Sequence, residues 1–165
     1  MKRKHIQKEK LMNTFIQTIL PFAKEINVQY KVPVSVCIAQ AVLETGWGRS
    51  VAGNNYFGIK ATPDDGGVST EQTTMEFENG KWVQITASFC SYPSMEASVL
   101  GYGKLLGTSP IYIPCFLATN PQDFCVQLQM CGYATDPNYA EKLIAVINGS
   151  NLTQYDVEVT ASPPA

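Results

Sequence analysis

A chain of 165 residues, 45% of them hydrophobic and with no long polar tract, suits one compact domain with a single core. The formal charge of −2 and the pI near 5.4 leave no basic surplus to neutralise a phosphate backbone or to hold an anionic membrane surface, so nucleic acid is not expected as a partner. No apolar run is long enough to cross a bilayer, and membrane insertion is not expected either.

The chain opens with Met1-Lys2-Arg3-Lys4 and runs through Leu11, Met12 and Phe15 to Phe22, the layout of a basic and then apolar leader. Asn13, Thr14, Gln17, Thr18 and Pro21 break that run. Phe15, Ile16, Ile19, Leu20, Ala23 and Ile26 recur at helical spacing, so the segment reads as an amphipathic helix rather than a signal peptide, with Pro21 marking a kink or a second helix start. Lys31-Val32-Pro33 is an extended stop before a helix from Pro33 to about Thr45, with Val36, Ala39, Val42 and Leu43 as its apolar stripe and Gly46 as its cap. Glu44 then falls in the last turn.

Gly53-Asn54-Asn55 and Thr62 to Gly67 are rich in turn residues. Thr73 to Glu78 and Lys81 to Thr86 flank Asn79-Gly80, the favoured dipeptide of a two-residue type I′ hairpin. That turn sets Phe77 opposite Trp82 and Glu76 opposite Val83, and the period of two puts Thr74, Glu76 and Glu78 on one acidic face. Ser94 to Leu106 reads as a serine-capped helix, Asn120-Pro121 begins another that stops at Gly132, and Asn138 to Asn148 forms the last. Residues 1–156 are expected to form the domain and 157–165, ending Ser-Pro-Pro-Ala, a loose tail.

Five cysteines, Cys37, Cys90, Cys115, Cys125 and Cys131, lack the paired spacing of a zinc site. They suit either an oxidising destination or small buried positions. His5, the only histidine, lies in a basic N-terminus expected to fray, which disfavours histidine-dependent nucleophiles and histidine metal sites. No nucleotide-binding glycine pattern occurs, and no metal or other cofactor is expected.

Charged residues make up only 16% of the chain, so Glu44 inside Ala41-Val42-Leu43-Glu44-Thr45-Gly46-Trp47-Gly48 stands out. A glutamate among apolar groups loses hydration in its charged form, holds its proton near neutral pH and can serve as a general acid. A glycosidic oxygen leaves poorly unless protonated, and a second carboxylate usually activates water or stabilises the positive transition state. The alternative is a structural pair between Glu44 and Arg49. For the second carboxylate, Glu76 lies farther from the turn tip than Glu78 and is better held by cross-strand packing; the alternative is that both are surface charges.

Ala39-Gln40-Ala41-Val42-Leu43-Glu44-Thr45-Gly46-Trp47-Gly48, Asn55-Tyr56-Phe57-Gly58-Ile59-Lys60 and Gly132-Tyr133-Ala134-Thr135-Asp136-Pro137 with Tyr139-Ala140 resemble, in order, the bacterial glucosaminidase family, glycoside hydrolase family 73. The Thr74 to Gly80 hairpin also looks like the family's. The resemblance implies an α+β, mainly helical, lysozyme-like fold, with a helical lobe and a small β-hairpin lobe flanking a cleft. It also implies cleavage of the β-1,4 bond after N-acetylglucosamine in a peptidoglycan glycan strand. It maps the catalytic acid onto Glu44, the second carboxylate onto Glu76 and a cleft tyrosine onto Tyr133, with Trp47, Asn55, Phe57 and Tyr139 as further substrate-binding candidates. Two departures stand out: Phe89-Cys90-Ser91-Tyr92 replaces the usual Phe-Arg-x-Tyr, and Gly101 replaces an aspartate before Tyr102. A cysteine link through Cys90 is one expected substitute for the missing ion pair.

Water attack is left open between a hairpin carboxylate acting as base and assistance by the substrate's acetamido group. A cell-wall glycan-binding module that does not cut, and an assembly domain docking through the Pro-Pro tail, are the competing readings. A catalytic domain without export signal or wall-binding repeats suggests delivery as a phage lysis enzyme or, preferably, as a secreted antibacterial effector, made in the cytoplasm and acting in the periplasm or wall of a target cell. The latter carries the expectation of a cognate immunity protein that blocks the cleft.

Overall fold

The computed structural model describes residues 2–62 and 67–156. Helix α1 (Lys2–Tyr30) leads to α2 (Val34–Thr45), a two-stranded antiparallel hairpin of β1 (Ser69–Glu78) and β2 (Lys81–Cys90), α3 (Met95–Thr108), a 3-10 segment Pro110–Leu117, α4 (Pro121–Met130), α5 (Tyr139–Gly149) and a 3-10 turn Leu152–Tyr155. The architecture is mainly helical with one small sheet, as expected. The turn residues expected from Thr62 to Gly67 fall largely on 63–66, and the expected tail on 157–165, both outside the described residues.

Two expectations for the N-terminal segment are corrected. Pro21 starts no second helix but lies inside α1, because Phe15, Ile16, Ile19, Ala23 and Ile26 form one buried stripe that continues past it. His5 does not fray: it is helical and sits 3.3 Å from Glu9 one turn on.

Helix α2 is the centre of the core. Every residue from Val34 to Val42 is buried, so it is enclosed on all sides rather than along a stripe, by α1, α4, α5 and the Leu152–Tyr155 turn. Leu43 is only half-buried, because the helix emerges there toward the cleft. Gly46 ends α2 in the left-handed conformation, φ 56, and its N–H closes on the Val42 carbonyl. Thr45 secures the exit: its hydroxyl donates to the Ala41 carbonyl at 2.6 Å and accepts from the Gly48 N–H at 2.8 Å.

The hairpin pairs in the expected register, Phe77 with Trp82 and Glu76 with Val83, and extends beyond the predicted strands to Ser69 and Cys90. Asn79 and Gly80 both have positive φ, 50 and 80, as a type I′ turn requires. Residues 59–61 lie against the far edge of β2, with the Cys90 N–H donating to the Ile59 carbonyl and the Ala61 N–H to the Ser88 carbonyl, both at 2.9 Å, which anchors the hairpin root.

The caps of α3 and α4 also follow the sequence: Ser94 accepts from the Ala97 N–H at 3.1 Å and Asn120 from the Asp123 N–H at 2.8 Å. The 3-10 segment Pro110–Leu117 had no sequence signal, since Pro110, Ile111, Ile113 and Pro114 give neither a helical nor a strand period. All five cysteines are thiols. The expected link through Cys90 is therefore corrected: its sulfur lies 3.6 Å from the Lys60 carbonyl.

Candidate active site

A cleft of about 920 Å3 runs between the helical body and the hairpin. Leu43 and Glu44 at the end of α2, the 57–62 loop, Thr74, Met75, Glu76 and Trp82 of the hairpin, and Tyr133 to Asp136 with Tyr139 line it. Lys104, Thr108 and Tyr112 line it as well.

The way α2 ends places Glu44. Because the chain turns away at Gly46, the side chain in the last turn projects beyond the core while its backbone stays anchored in it. Water reaches the carboxylate from the cleft mouth, yet protein occupies most of the volume around it. That desolvation pushes its pKa up to about 7, against the Tyr139 hydroxyl, which donates to Oε1 at 3.4 Å, and with the Glu76 charge adding to the rise. Arg49 does not pair with it; the Arg49 Nε–H donates to the Gly46 carbonyl at 2.8 Å, so the alternative of a structural ion pair is not what the fold builds.

Glu76 sits across the cleft in the opposite protonation regime. Partial desolvation raises its pKa, but hydrogen bonds from Lys60, 2.5 Å away, and from the Thr135 hydroxyl, with the Lys60 charge, outweigh it and hold the carboxyl below its ordinary value. Thr135 also accepts from the Phe77 N–H at 3.0 Å, so one residue ties the hairpin to the 132–137 loop and orients the carboxylate. Glu78 is exposed and lies away from the cleft lining. Two carboxylates thus share a cleft, one biased to hold a proton near neutrality and one to stay ionised, the separation of acid and base that glycoside cleavage requires.

The remaining candidates divide. The Tyr133 ring lines the cleft, while its hydroxyl donates to the Phe57 carbonyl at 2.7 Å and is thereby committed to holding the loop. Tyr139 stacks on Tyr133 at 5.9 Å and presents only its hydroxyl to Glu44, so it meets the acid rather than offering a flat platform. Phe57 is fully buried and stacked on Tyr102 at 4.0 Å, which makes its side chain core and leaves its backbone to face the cleft. Asn55 and Trp47 are not among the residues that line the cleft. Asn55 instead organises its loop: its amide donates to the Ile59 carbonyl at 2.8 Å and its oxygen accepts from the Phe57 and Ile59 N–H groups. Trp47 packs edge-on against Phe15 of α1.

Lys60 and Thr135 stood in recognisable motifs, but nothing local marked them as partners of Glu76. Trp82, half exposed in the cleft, was legible only as the cross-strand partner of Phe77; Lys142 lies 6.0 Å from its ring centre and pairs with Asp136. Among the described residues, no group of three or more histidine, cysteine or acidic side chains could hold a metal ion, and no helix is long and apolar enough to cross a membrane.

A helical body with a hairpin lobe, and carboxylates in opposite protonation regimes across the cleft between them, define the lysozyme-like class of glycosidase folds. Within that class the chain belongs to the glucosaminidase family: the family model described as mannosyl-glycoprotein endo-β-N-acetylglucosaminidase matches residues 20–152. It is 39% identical over 158 residues to the peptidoglycan hydrolase FlgJ of Pseudomonas aeruginosa, which covers 91% of this chain and 39% of that protein. It is 37% identical over 150 residues to the exo-glucosaminidase LytG of Bacillus subtilis, covering 86% and 52%. The chain therefore spans about half or less of the curated relatives it matches. A crystal structure of a peptidoglycan hydrolase mutant from Sphingomonas sp. A1 superposes with a TM-score of 0.79 at 38% identity, covering 86% of this chain and 96% of that one. A type VI secretion effector in complex with its immunity protein, from Pseudomonas protegens, shares the fold alone, at a TM-score of 0.53 and 19% identity.

Proposed function

We propose that this chain hydrolyses the β-1,4 bond after N-acetylglucosamine within peptidoglycan strands, with Glu44 as general acid and Glu76 as the second carboxylate. The observation that carries the reading is the protonation contrast between these two groups in one cleft. Glu44 gives its proton to the glycosidic oxygen as the bond from that oxygen to the anomeric carbon breaks, so the leaving sugar departs as a neutral alcohol. Glu76, kept ionised by Lys60 and Thr135, offsets the positive charge that develops on the sugar ring and accepts the proton of the attacking water. If the acetamido group of the substrate attacks first, Glu76 is left with the electrostatic role, and the anomer of the product separates the two routes: inversion for direct attack by water, retention for assistance.

Digestion of purified peptidoglycan by the wild type and by Glu44→Gln, with mass spectrometry of the reduced fragments, tests the assignment. New N-acetylglucosamine reducing ends with the wild type alone support it. No cutting by either protein would leave a wall-glycan binding module, and internal against terminal release distinguishes an endo from an exo mode. Use of this activity against a rival cell, with an immunity protein seated over the cleft, is a narrower form of the proposal, supported by the acidic pI near 5.4 and by the openness of the cleft to a covering partner. A secreted product of a neighbouring gene that binds the cleft and stops digestion supports that form; a neighbourhood without one favours the phage lysis role.

A further inference from the structure

Behind the cleft, three buried polar side chains from three helices meet Glu44 in series. The Tyr102 hydroxyl of α3 donates to Gln40 Oε1 of α2, the Gln40 Nε2 amide donates to the Tyr139 hydroxyl oxygen of α5 at 2.8 Å, and Tyr139 reaches Glu44 Oε1 at 3.4 Å. Gln40 and Tyr102 have no exposed surface. A buried glutamine among the apolar neighbours Val36 to Val42 of α2 costs stability unless both ends of its amide are satisfied, and here both are, one by each phenol.

We infer that Gln40 and Tyr102 are positioning residues for the catalytic acid: together they fix the direction of the Tyr139 hydroxyl so that its proton points at Glu44. The inference rests on the reading of Glu44 as the acid. A phenol has one proton, and where it goes depends on what its oxygen accepts. With the Gln40 Nε2–H donating to Tyr139, the phenol proton is left for Glu44. Tyr102 enforces that orientation, because its own proton needs the amide oxygen as acceptor. Were the amide turned over, Gln40 Oε1 would take the Tyr139 proton and Glu44 would lose its donor. A donor aimed at Glu44 favours the carboxylate, which tempers the effect of burial and keeps the group a strong enough acid to release its proton to the leaving oxygen. The other ionisable groups around Glu44 are Glu76 on β1, with Lys60 bound to it, and Tyr133 of the 132–137 loop, whose proton is committed to the Phe57 carbonyl. Tyr133 packs its ring on Tyr139 and edge-on against Tyr102, contacts that Tyr102→Phe and Tyr139→Phe keep while each removes only a hydroxyl of the chain of three.

The test is a carboxyl carbon-13 NMR titration of Glu44, its resonance assigned by its loss in Glu44→Gln, in the wild type, Tyr102→Phe, Gln40→Met, Tyr139→Phe and the double variants carrying Tyr139→Phe. Tyr102→Phe keeps the ring stacked on Phe57 and removes one hydroxyl, so it remains informative if Gln40→Met fails to fold. The expected result is an upward move of the Glu44 midpoint by roughly half a unit in each single variant, with no further move when Tyr102→Phe or Gln40→Met is added to Tyr139→Phe. In peptidoglycan digestion, kcat is expected to fall about fivefold with KM unchanged, and the basic limb of the pH profile to follow the midpoint. A midpoint that stays put or falls in both Tyr102→Phe and Gln40→Met overturns the inference, as does an additive shift in the double variants. The titration needs no turnover, so failure of the proposed reading, seen as full activity in Glu44→Gln or as no cutting by either protein, is told apart from failure of this one.

Discussion

A β-carbon added at Gly58 would lie 2.9 Å from Glu44 Oε2, and Gly58 has a φ of +63. The loop that carries Tyr56, Phe57 and Ile59 therefore passes so close to the acid that only hydrogen fits between them, and its backbone takes a conformation that other residues adopt at a cost of about 1 kcal/mol or more. Gly58→Ala should leave a folded protein with a modestly lowered melting temperature and at least about tenfold less activity, because the new methyl pushes the carboxylate off its line to the substrate. Circular dichroism melting and peptidoglycan digestion on the same sample check this. Wild-type turnover in the alanine variant would show that Glu44 has more room than the geometry gives it.

Lys60 and Thr135 hold Glu76 ionised, so removing the lysine should make that carboxylate easier to protonate. In Lys60→Met the acid limb of the pH profile is expected to move up by roughly one unit, with the rate at neutral pH down about tenfold. The basic limb, which the proposed acid role assigns to Glu44, should stay where it is. An acid limb unmoved in Lys60→Met would mean that Glu76 does not set it.

The parts of this molecule that were legible in the sequence are those set by near neighbours. Asn79-Gly80 specifies its own turn and hence the whole hairpin register, Ser94 and Asn120 cap the helices they precede, and Gly46 ends α2 just after Glu44. The supports of the site were not legible, because they meet only in the fold: Gln40 and Tyr139 are 99 residues apart, Tyr102 and Gln40 62, Thr135 and Glu76 59. The structural partners of Trp47 and Asn55 were no more legible: one packs against Phe15 of α1 and the other ties its own loop, contacts that their place within the motifs does not announce.

With all five cysteines as thiols, denaturation without reductant should expose five groups to a thiol reagent. In the native protein Cys131 and Cys90, half-buried, should react ahead of Cys37, which is fully buried and whose thiolate burial strongly disfavours. A count below five after denaturation, or a mass lower by two hydrogens per missing pair, would restore the cysteine link that the fold does not contain.

The raised pKa of Glu44 also has a stability signature, and its sign is opposite to that of most carboxylates. The folded group titrates near 7 and the ordinary value is 4.5, so between those pH values the folded state binds more protons than the unfolded chain. Stability from this group is therefore complete below about pH 4.5 and is lost as pH rises through 7, where the acid must carry its charge in a desolvated setting. Glu76 and Asp136, both lowered, act the other way and only at the acid end, where protonation weakens their pairs with Lys60 and Lys142. Glu44→Gln removes the charge altogether. Its melting temperature should match the wild type near pH 4.5 and exceed it above pH 7.5, by on the order of 2 °C for a domain of this size, kept small by cleft water that screens the carboxylate. Scanning calorimetry across that range checks the sign, and a Glu44→Gln advantage that is constant with pH would mean that the acid is not held protonated by the fold.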